Sequence, residues 1–174
     1  MKLSLSKQVR AAVMAAVLCV TSQAAVGVGD VPLTLQTFFI ALTGVVLGAR
    51  LGALTVAVYL LVGACGLPVY AGGLGGVGRL LGPTGGFLVG FALLAFFCGL
   101  GGGGPYWRQF LWSLLGLVAL DVLGTAQLML VAHLSLPAAL ASAVLPFVAK
   151  DIACLAAAIA LGRIVKNRLP AQLK

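Results

Sequence analysis

The sequence predicts an all-α membrane protein of six transmembrane helices with both termini in the cytoplasm. Hydrophobic residues make up 62% of the 174 residues, charged residues make up 8%, and the mean hydropathy is +1.19. The apolar residues fall into long runs, and the basic residues lie at the two ends of the chain and between the runs. No linker or long charged segment divides these runs, so we expect a single domain over residues 1–174.

A transmembrane helix needs about 20 apolar residues, within a range of about 17 to 25. Six segments fit or approach that length, at residues 9–26, 35–47, 51–67, 85–100, 110–132 and 137–165. The second is short and shares a turn with the third. A helical hairpin inserted as one unit, and thus a total of five spans, is therefore the alternative.

The basic residues favour six spans over five. Lys2, Lys7 and Arg10 precede the first segment, and four more basic residues close or follow the last, so both termini are expected in the cytoplasm. With six spans, nine of the eleven Lys and Arg residues lie on the cytoplasmic side. The exceptions are Arg79, on the outer side, and Lys150, within a span, and charges in such places indicate function.

The first segment resembles a secretory signal peptide, because basic residues, an apolar run and small residues follow one another. We expect it to be retained, since a polytopic chain follows it. It also carries small residues that allow close contact between helices, at Ala11, Ala12, Ala15 and Ala16. From the residues alone, packing within the chain and docking on a partner are both consistent with this face.

Composition excludes several functions. The net charge of +8 follows membrane topology and not a basic face with interleaved aromatics, so nucleic-acid binding is not expected. The four cysteines are isolated, the only histidine is His133, and the three acids form no paired or metal-binding motif. No phosphate-binding loop motif occurs. We therefore expect no metal, no cofactor and no enzymatic activity.

Glycines appear in two different patterns. Residues 63–86 form an irregular, glycine-crowded segment around Arg79, and non-helical backbone at a membrane usually serves a binding site. Its glycines at 72, 73, 75, 76 and 78 lack a helical period, which favours a loop that opens and closes. Glycines at 44, 48 and 52, and at 82, 86 and 90, recur every four residues, which indicates helix packing.

Three motifs in order resemble one family. Residues 31–39 read VPLTLQTFF, residues 66–73 read GLPVYAGG, and residues 81–91 read LGPTGGFLVGF. Together they are similar to the BioY family, the biotin-specific S components, or substrate-binding subunits, of energy-coupling-factor vitamin transporters. The resemblance extends over nearly the whole chain, from the alanine face to Asp151.

The resemblance implies a six-helix protein of the bacterial cell membrane that captures biotin from the outer side. It further implies docking, through small residues of the first helix, on a transmembrane T component that is coupled to two ATP-hydrolysing subunits. The four alanines named above match that docking face by position. Partners are then biotin, membrane lipid and the energising subunits.

Biotin presents a carboxylate, an apolar ring and a ureido group with two N–H donors and one carbonyl. Asp151, buried in an apolar run, is the candidate acceptor for the ureido donors, with Lys150 beside it, and Arg79 is the candidate cation for the carboxylate. Other candidate ligand residues are the lid positions Tyr70, Gly72, Gly73 and Thr84 and the polar pair Thr34 and Gln36. Each of these residues also has an alternative role outside a ligand site. Asp151 and Lys150 could form structural ion pairs, Arg79 could be solvated or bound to lipid, and Gln36 could form an interhelical hydrogen bond.

Two departures from the family pattern leave the ligand open. Relatives often carry a lysine three residues after the aspartate, where this chain has Cys154. Here Lys150 precedes the aspartate instead. Lys150 would replace the missing lysine only where the helix is turned or unwound. Asp121 lies where many relatives have aromatic residues. The alternatives are an S component for another small vitamin or biotin precursor, a stand-alone biotin transporter, and a structural membrane protein.

Overall fold

The computed structural model describes residues 5–23, 25–28 and 31–168. Helices dominate this part of the chain: α1 (Leu5–Thr21), α2 (Gln36–Leu47), α3 (Ala49–Ala64), α4 (Val77–Leu81), α5 (Gly85–Leu100), α6 (Tyr106–Ala132), α7 (Leu136–Ala143) and α8 (Val148–Arg168). Between α1 and α2 lies an antiparallel two-stranded ribbon of β1 (Ala25–Val28) and β2 (Val31–Thr34).

The ribbon adds two short strands to an otherwise helical fold, and it corrects the extension of the first helical segment to residue 26. In the structure α1 ends at Thr21, and the chain then enters β1. The two strands carry β-branched residues at Val26, Val28, Val31 and Thr34, and such residues favour strands. A short apolar run does not distinguish helix from strand by hydrophobicity alone.

The last predicted segment, residues 137–165, is not one regular helix. It is broken into α7 and α8, whose axes are bent by 51°. Pro146 lies in the turn between them, and proline cannot donate the backbone hydrogen bond that an uninterrupted helix would need. As a consequence, Lys150 and Asp151 lie in the first turn of a new helix and not in the middle of a long one.

Helix α5 packs against α2, α3 and α6, and the four-residue glycine series makes these approaches close. A side chain at Gly44 would overlap the backbone oxygen of Ala95, and one at Gly90 would lie 2.9 Å from the Cα of Leu120. The predicted packing role is confirmed at these positions. Gly48 differs, because its φ of +82° turns the chain between α2 and α3.

The helices present apolar side chains outward as well as inward. Within the described residues, α6 alone is long and apolar enough to cross a membrane, and α7 with α8 meets the same criterion as a bent pair. Helices α2, α3 and α5 are apolar but shorter. Leu61, Leu115, Val118 and Val122 are more than half exposed. An apolar exterior over so much of the surface is typical of a protein surrounded by lipid.

Candidate functional site

A network of hydrogen bonds joins the β2–α2 corner to α3 and to the ends of two other segments. The Gln36 amide donates to the hydroxyl of Tyr59 (3.0 Å), which is fully buried and donates in turn to the carbonyl of Val69 (3.1 Å). Ser22, just after α1, donates to the same carbonyl. The Thr34 hydroxyl donates to Gln36 Oε1 (3.2 Å). Tyr59 and Ser22 were not among the sequence-based candidates.

Lys150 connects this network to Asp151. The Lys150 ammonium lies 2.6 Å from Oδ1 of Asp151 and donates to the backbone carbonyl of Thr34 at 2.9 Å. It also lies 5.8 Å from the centroid of the Phe147 ring, within range of a cation–π interaction. The structure therefore brings four predicted site residues together, namely Thr34, Gln36, Lys150 and Asp151. The ion pair joins two adjacent residues in the first turn of α8.

Asp151 retains unused capacity to accept hydrogen bonds. It is only 7% exposed, and the contact with Lys150 does not have hydrogen-bond geometry, so Oδ1 accepts no hydrogen bond from any described residue. It lies in the first turn of α8, and the amino end of a helix carries partial positive charge. Buried carboxylate oxygens normally have donors. Asp151 is therefore suited to accept N–H groups from a ligand.

Asp121 adds a second acid to this charged cluster. It is half-buried on α6 and interacts electrostatically with both Asp151 and Lys150. It forms no ion pair within 4.0 Å and no hydrogen bond with another described residue. Among the described residues, Asp121 thus forms no direct salt bridge with Lys150.

Thr125, one helical turn after Asp121, has a buried hydroxyl without a partner among the described residues. Other helical threonines behave differently: the hydroxyl of Thr55, for example, donates to the carbonyl of Leu51 at 2.8 Å. A hydroxyl that does not satisfy its own backbone costs free energy unless something else binds it. Thr125 was not predicted as a site residue, and only its spacing of four from Asp121 could have indicated it.

Tyr70 packs against the network from the loop that follows α3. It is 2% exposed, its ring contacts that of Tyr59 edge to face at 5.8 Å, and its hydroxyl donates to the carbonyl of Leu60 at 2.5 Å. Burial raises the pKa of the Tyr70 phenol, which therefore stays a neutral donor. Gly72 and Gly73, with φ of +73° and +72°, form the exposed turn that follows it.

Arg79 and Thr84 lie farther along the same connection and outside the hydrogen-bond network. Arg79 is exposed on α4, and its side chain forms no ion pair or hydrogen bond with another described residue, while Thr84 is half-buried at the start of α5. The Gln127 amide donates to the carbonyls of Leu80 and Gly82, each at 2.8 Å, and so fastens this connection to α6. The predicted loop is thus attached at both ends in this structure.

The alanine face of α1 divides between interior and surface. Ala15 is buried and Ala11 is half-buried, so these two face the rest of the chain. Ala12 and Ala16 are exposed, and exposed valines surround them at Val9, Val13 and Val20. Packing within the chain therefore applies to Ala11 and Ala15, whereas Ala12 and Ala16 lie on the surface.

Comparisons with known proteins agree with one another. Residues 1–171 match the model of the BioY family. The "Probable biotin transporter BioY" of Pyrococcus horikoshii is 40% identical over 148 residues, which cover 85% of this chain and 88% of that protein. The "Biotin transporter BioY" of Thermotoga maritima is 48% identical over 92 residues, which cover 53% of this chain and 54% of that protein.

A solved structure has the same fold. The crystal structure of an S-component for biotin from an ECF-type ABC transporter superimposes with a TM-score of 0.88 and covers 99% of this chain and 98% of its own, at 24% sequence identity. At this identity the likeness concerns the fold, which is that of an S component. The family match over residues 1–171 and this shared fold agree, and the chain belongs to the BioY family.

Proposed function

We propose that this chain is a biotin-binding membrane subunit that mediates biotin uptake as the S component of an energy-coupling-factor transporter. Its family, the names of its relatives and its fold support this function. A membrane transport subunit binds and releases its ligand without changing it covalently, so the chain is not expected to act as an enzyme.

The proposed topology has six spans, formed by α1, α2, α3, α5, α6 and the bent pair of α7 and α8. Helix α4 then belongs to the outer connection, and both termini lie in the cytoplasm of the cell. The short lengths of α2 and of α7 fit helices that line a cavity opening to one side. In this topology the hydrogen-bond network and Asp151 lie in the outer half of the membrane, where an incoming ligand reaches them.

The observation that carries the ligand assignment is the buried Asp151 carboxylate, which pairs with Lys150 but accepts no hydrogen bond from a described residue. In the proposed site Asp151 accepts the ureido N–H groups, and Lys150 neutralises its charge and ties it to Thr34. Gln36 and Tyr59 keep that corner rigid. The orphan hydroxyl of Thr125 is available to donate to the ureido carbonyl.

The remaining site residues serve the other end of the ligand. Arg79 is the proposed partner of the biotin carboxylate, since it is exposed and unpaired among the described residues. Tyr70, Gly72, Gly73 and Thr84 belong to the connection that would cover the bound ligand. Closure over biotin would bring Arg79 from solvent toward the carboxylate.

Transport is proposed to need a T component and two ATP-hydrolysing subunits, with Ala12 and Ala16 as the docking surface on α1. These two residues are the exposed members of the alanine face. Transport by the chain alone is the alternative. Uptake of labelled biotin by cells that contain the chain with and without those subunits distinguishes the two.

Equilibrium binding to the purified chain tests the ligand. We expect tight binding of biotin and displacement by desthiobiotin, which keeps the ureido group and the carboxylate, whereas thiamine and riboflavin should not compete. If a monodisperse, folded preparation bound no biotin, or if thiamine displaced it equally well, the assignment would be wrong. The chain would then be better explained as an S component for another small vitamin or a biotin precursor.

Thr125→Val is expected to reduce biotin affinity about fivefold, a loss of about 1 kcal/mol, without lowering the melting temperature of the chain. The physical reason is that the hydroxyl has no partner in the described chain and loses nothing there when it is removed. Thr55→Val is the matched control, because that hydroxyl bonds to its own helix. Unchanged affinity in Thr125→Val, measured by calorimetry, would remove Thr125 from the site.

A further inference from the structure

A cavity lies at the end of the helix bundle that is far from Asp151. It has a volume of about 400 Å³ and is lined by the carboxyl ends of α2 and α8 and by the α5–α6 turn, with Gln109, Arg163, Lys166 and Asn167 as its polar residues. Lys166 and Asp151 are fifteen residues apart on α8, which corresponds to about 22 Å along a helix. The cavity is therefore separate from the proposed biotin site.

The cations of this cavity face inward. Arg163 and Lys166 are three residues apart, share one face of α8 and are half-buried. The residues between them are apolar and point away from the bundle, with Ile164 58% exposed and Val165 36% exposed. Cations that served only to orient the chain would have no reason to line an open cavity in preference to the outer helix surface.

No acidic residue lines the cavity within the described part of the chain. The two acids that the structure describes are Asp121 and Asp151, and both interact with Lys150 near the other end of α8. The charges of Arg163 and Lys166 are thus not neutralised by a carboxylate of the described residues. Two half-buried cations that share a cavity repel each other, and an anion between them would relieve that repulsion.

The hydrogen-bond donors are already arranged. Nη2 of Arg163 donates to the carbonyl of Gly104 at 2.6 Å, which fixes the guanidinium against the α5–α6 turn and leaves its other N–H groups available. The Lys166 ammonium donates to no described residue, and the amide of Asn167 is exposed next to it. Gln109 is 2% exposed and forms the floor of the cavity, where it donates to the carbonyl of Cys98.

We propose that this cavity binds an anion with a phosphate group, either the headgroup of an anionic phospholipid or a free phosphate. A guanidinium and an ammonium that converge on one space are the usual ligands for phosphate oxygens. Basic pockets between helices at the cytoplasmic side of membrane proteins bind phospholipid headgroups. The apolar exterior around Ile164 and Val165 would accommodate the acyl chains of such a lipid. This inference does not depend on the identity of the transported ligand.

The test compares two variants of the full-length chain purified in detergent. The first is Arg163→Gln with Lys166→Gln, and the matched control is Arg50→Gln with Arg168→Gln, which removes two exposed cations that do not line the cavity. Binding is measured as the rise in melting temperature on addition of phosphatidylglycerol, of phosphatidylcholine, or of inorganic phosphate without lipid. Lys166→Gln alone serves if the double cavity variant does not fold, since Lys166 makes no hydrogen bond with a described residue.

We expect phosphatidylglycerol to stabilise the wild-type chain and the control. The cavity variant should bind it about thirtyfold more weakly, because each of the two cations contributes about 1 kcal/mol near a membrane surface and about 1.4 kcal/mol is tenfold. A matching effect of inorganic phosphate would show that the phosphate group suffices, and an effect of the lipid only would assign the headgroup. The proposal is overturned if neither anion stabilises the chain, if phosphatidylcholine acts equally, or if the control variant loses as much as the cavity variant.

Discussion

Asp151→Asn is expected to weaken biotin binding by about 2 kcal/mol or more, roughly thirtyfold or greater. Asparagine keeps the size of the side chain but replaces one acceptor oxygen with an N–H₂ group, which cannot accept from a ureido N–H. The change also leaves the charge of Lys150, now 2.6 Å from a carboxylate oxygen, without its partner. Hydrogen bonds to ionised groups are stronger than neutral ones, so the loss exceeds that for an ordinary polar contact. Calorimetric titration with biotin measures it.

Asp121→Asn is the matched control for this change. Asp121 interacts with the same two charges but is half-buried and forms no close ion pair. Its substitution should alter biotin affinity by less than about 0.5 kcal/mol, as is usual for weakly coupled charges. Equal affinity of Asp151→Asn and the wild-type chain would exclude Asp151 from the ligand site. A large effect of Asp121→Asn alone would place the ligand acceptor on α6 instead of α8.

The charged centre could be predicted from the sequence because charges are rare in this chain. Lys150 and Asp151 are conspicuous between apolar residues, and an uncompensated charge there would be too costly to retain without a role. Their pairing could not be predicted, since adjacent residues of a regular helix project about 100° apart. In the structure they lie in the first turn of α8, after the break at Pro146, and their side chains meet at 2.6 Å.

The uncharged residues of the hydrogen-bond network could not be predicted from the sequence, for a different physical reason. Tyr59 and Ser22 are joined by the carbonyl of Val69, a backbone atom that only the folded loop brings to them. A threonine in an apolar helix normally bonds to the carbonyl four residues earlier, so nothing in the sequence distinguishes Thr125 from Thr55. The β-ribbon was missed because a short valine-rich run is compatible with either secondary structure.

The spacing of small residues predicted the alanine face of α1, but it could not predict which alanines turn inward. That choice is made by the helices that pack on α1, and α3 and α2 cover Ala15. The result separates two substitutions that look equivalent in the sequence. Ala15 and Ala16 are adjacent and identical, yet one is 8% exposed and the other lies on the surface.

Ala16→Leu is expected to leave biotin affinity and thermal stability of the purified chain unchanged while it reduces biotin uptake by cells that also contain the T component and the ATP-hydrolysing subunits. Close helix contact requires small residues, and an added isobutyl group at such a contact costs about 1–3 kcal/mol of docking free energy. Uptake of labelled biotin and recovery of the T component with a tagged chain measure the effect together.

Ala15→Leu is the control, and it should lower the stability of the chain instead of its docking on the T component. The larger side chain at a buried position costs about 1–3 kcal/mol of folding free energy, so the melting temperature falls, and uptake falls only in proportion to the folded protein that remains. If Ala16→Leu left uptake and recovery of the T component intact, Ala12 and Ala16 would not be the docking surface. If it lowered the melting temperature as Ala15→Leu does, the outer face of α1 would be covered by another part of this protein, and docking would have to use a different helix.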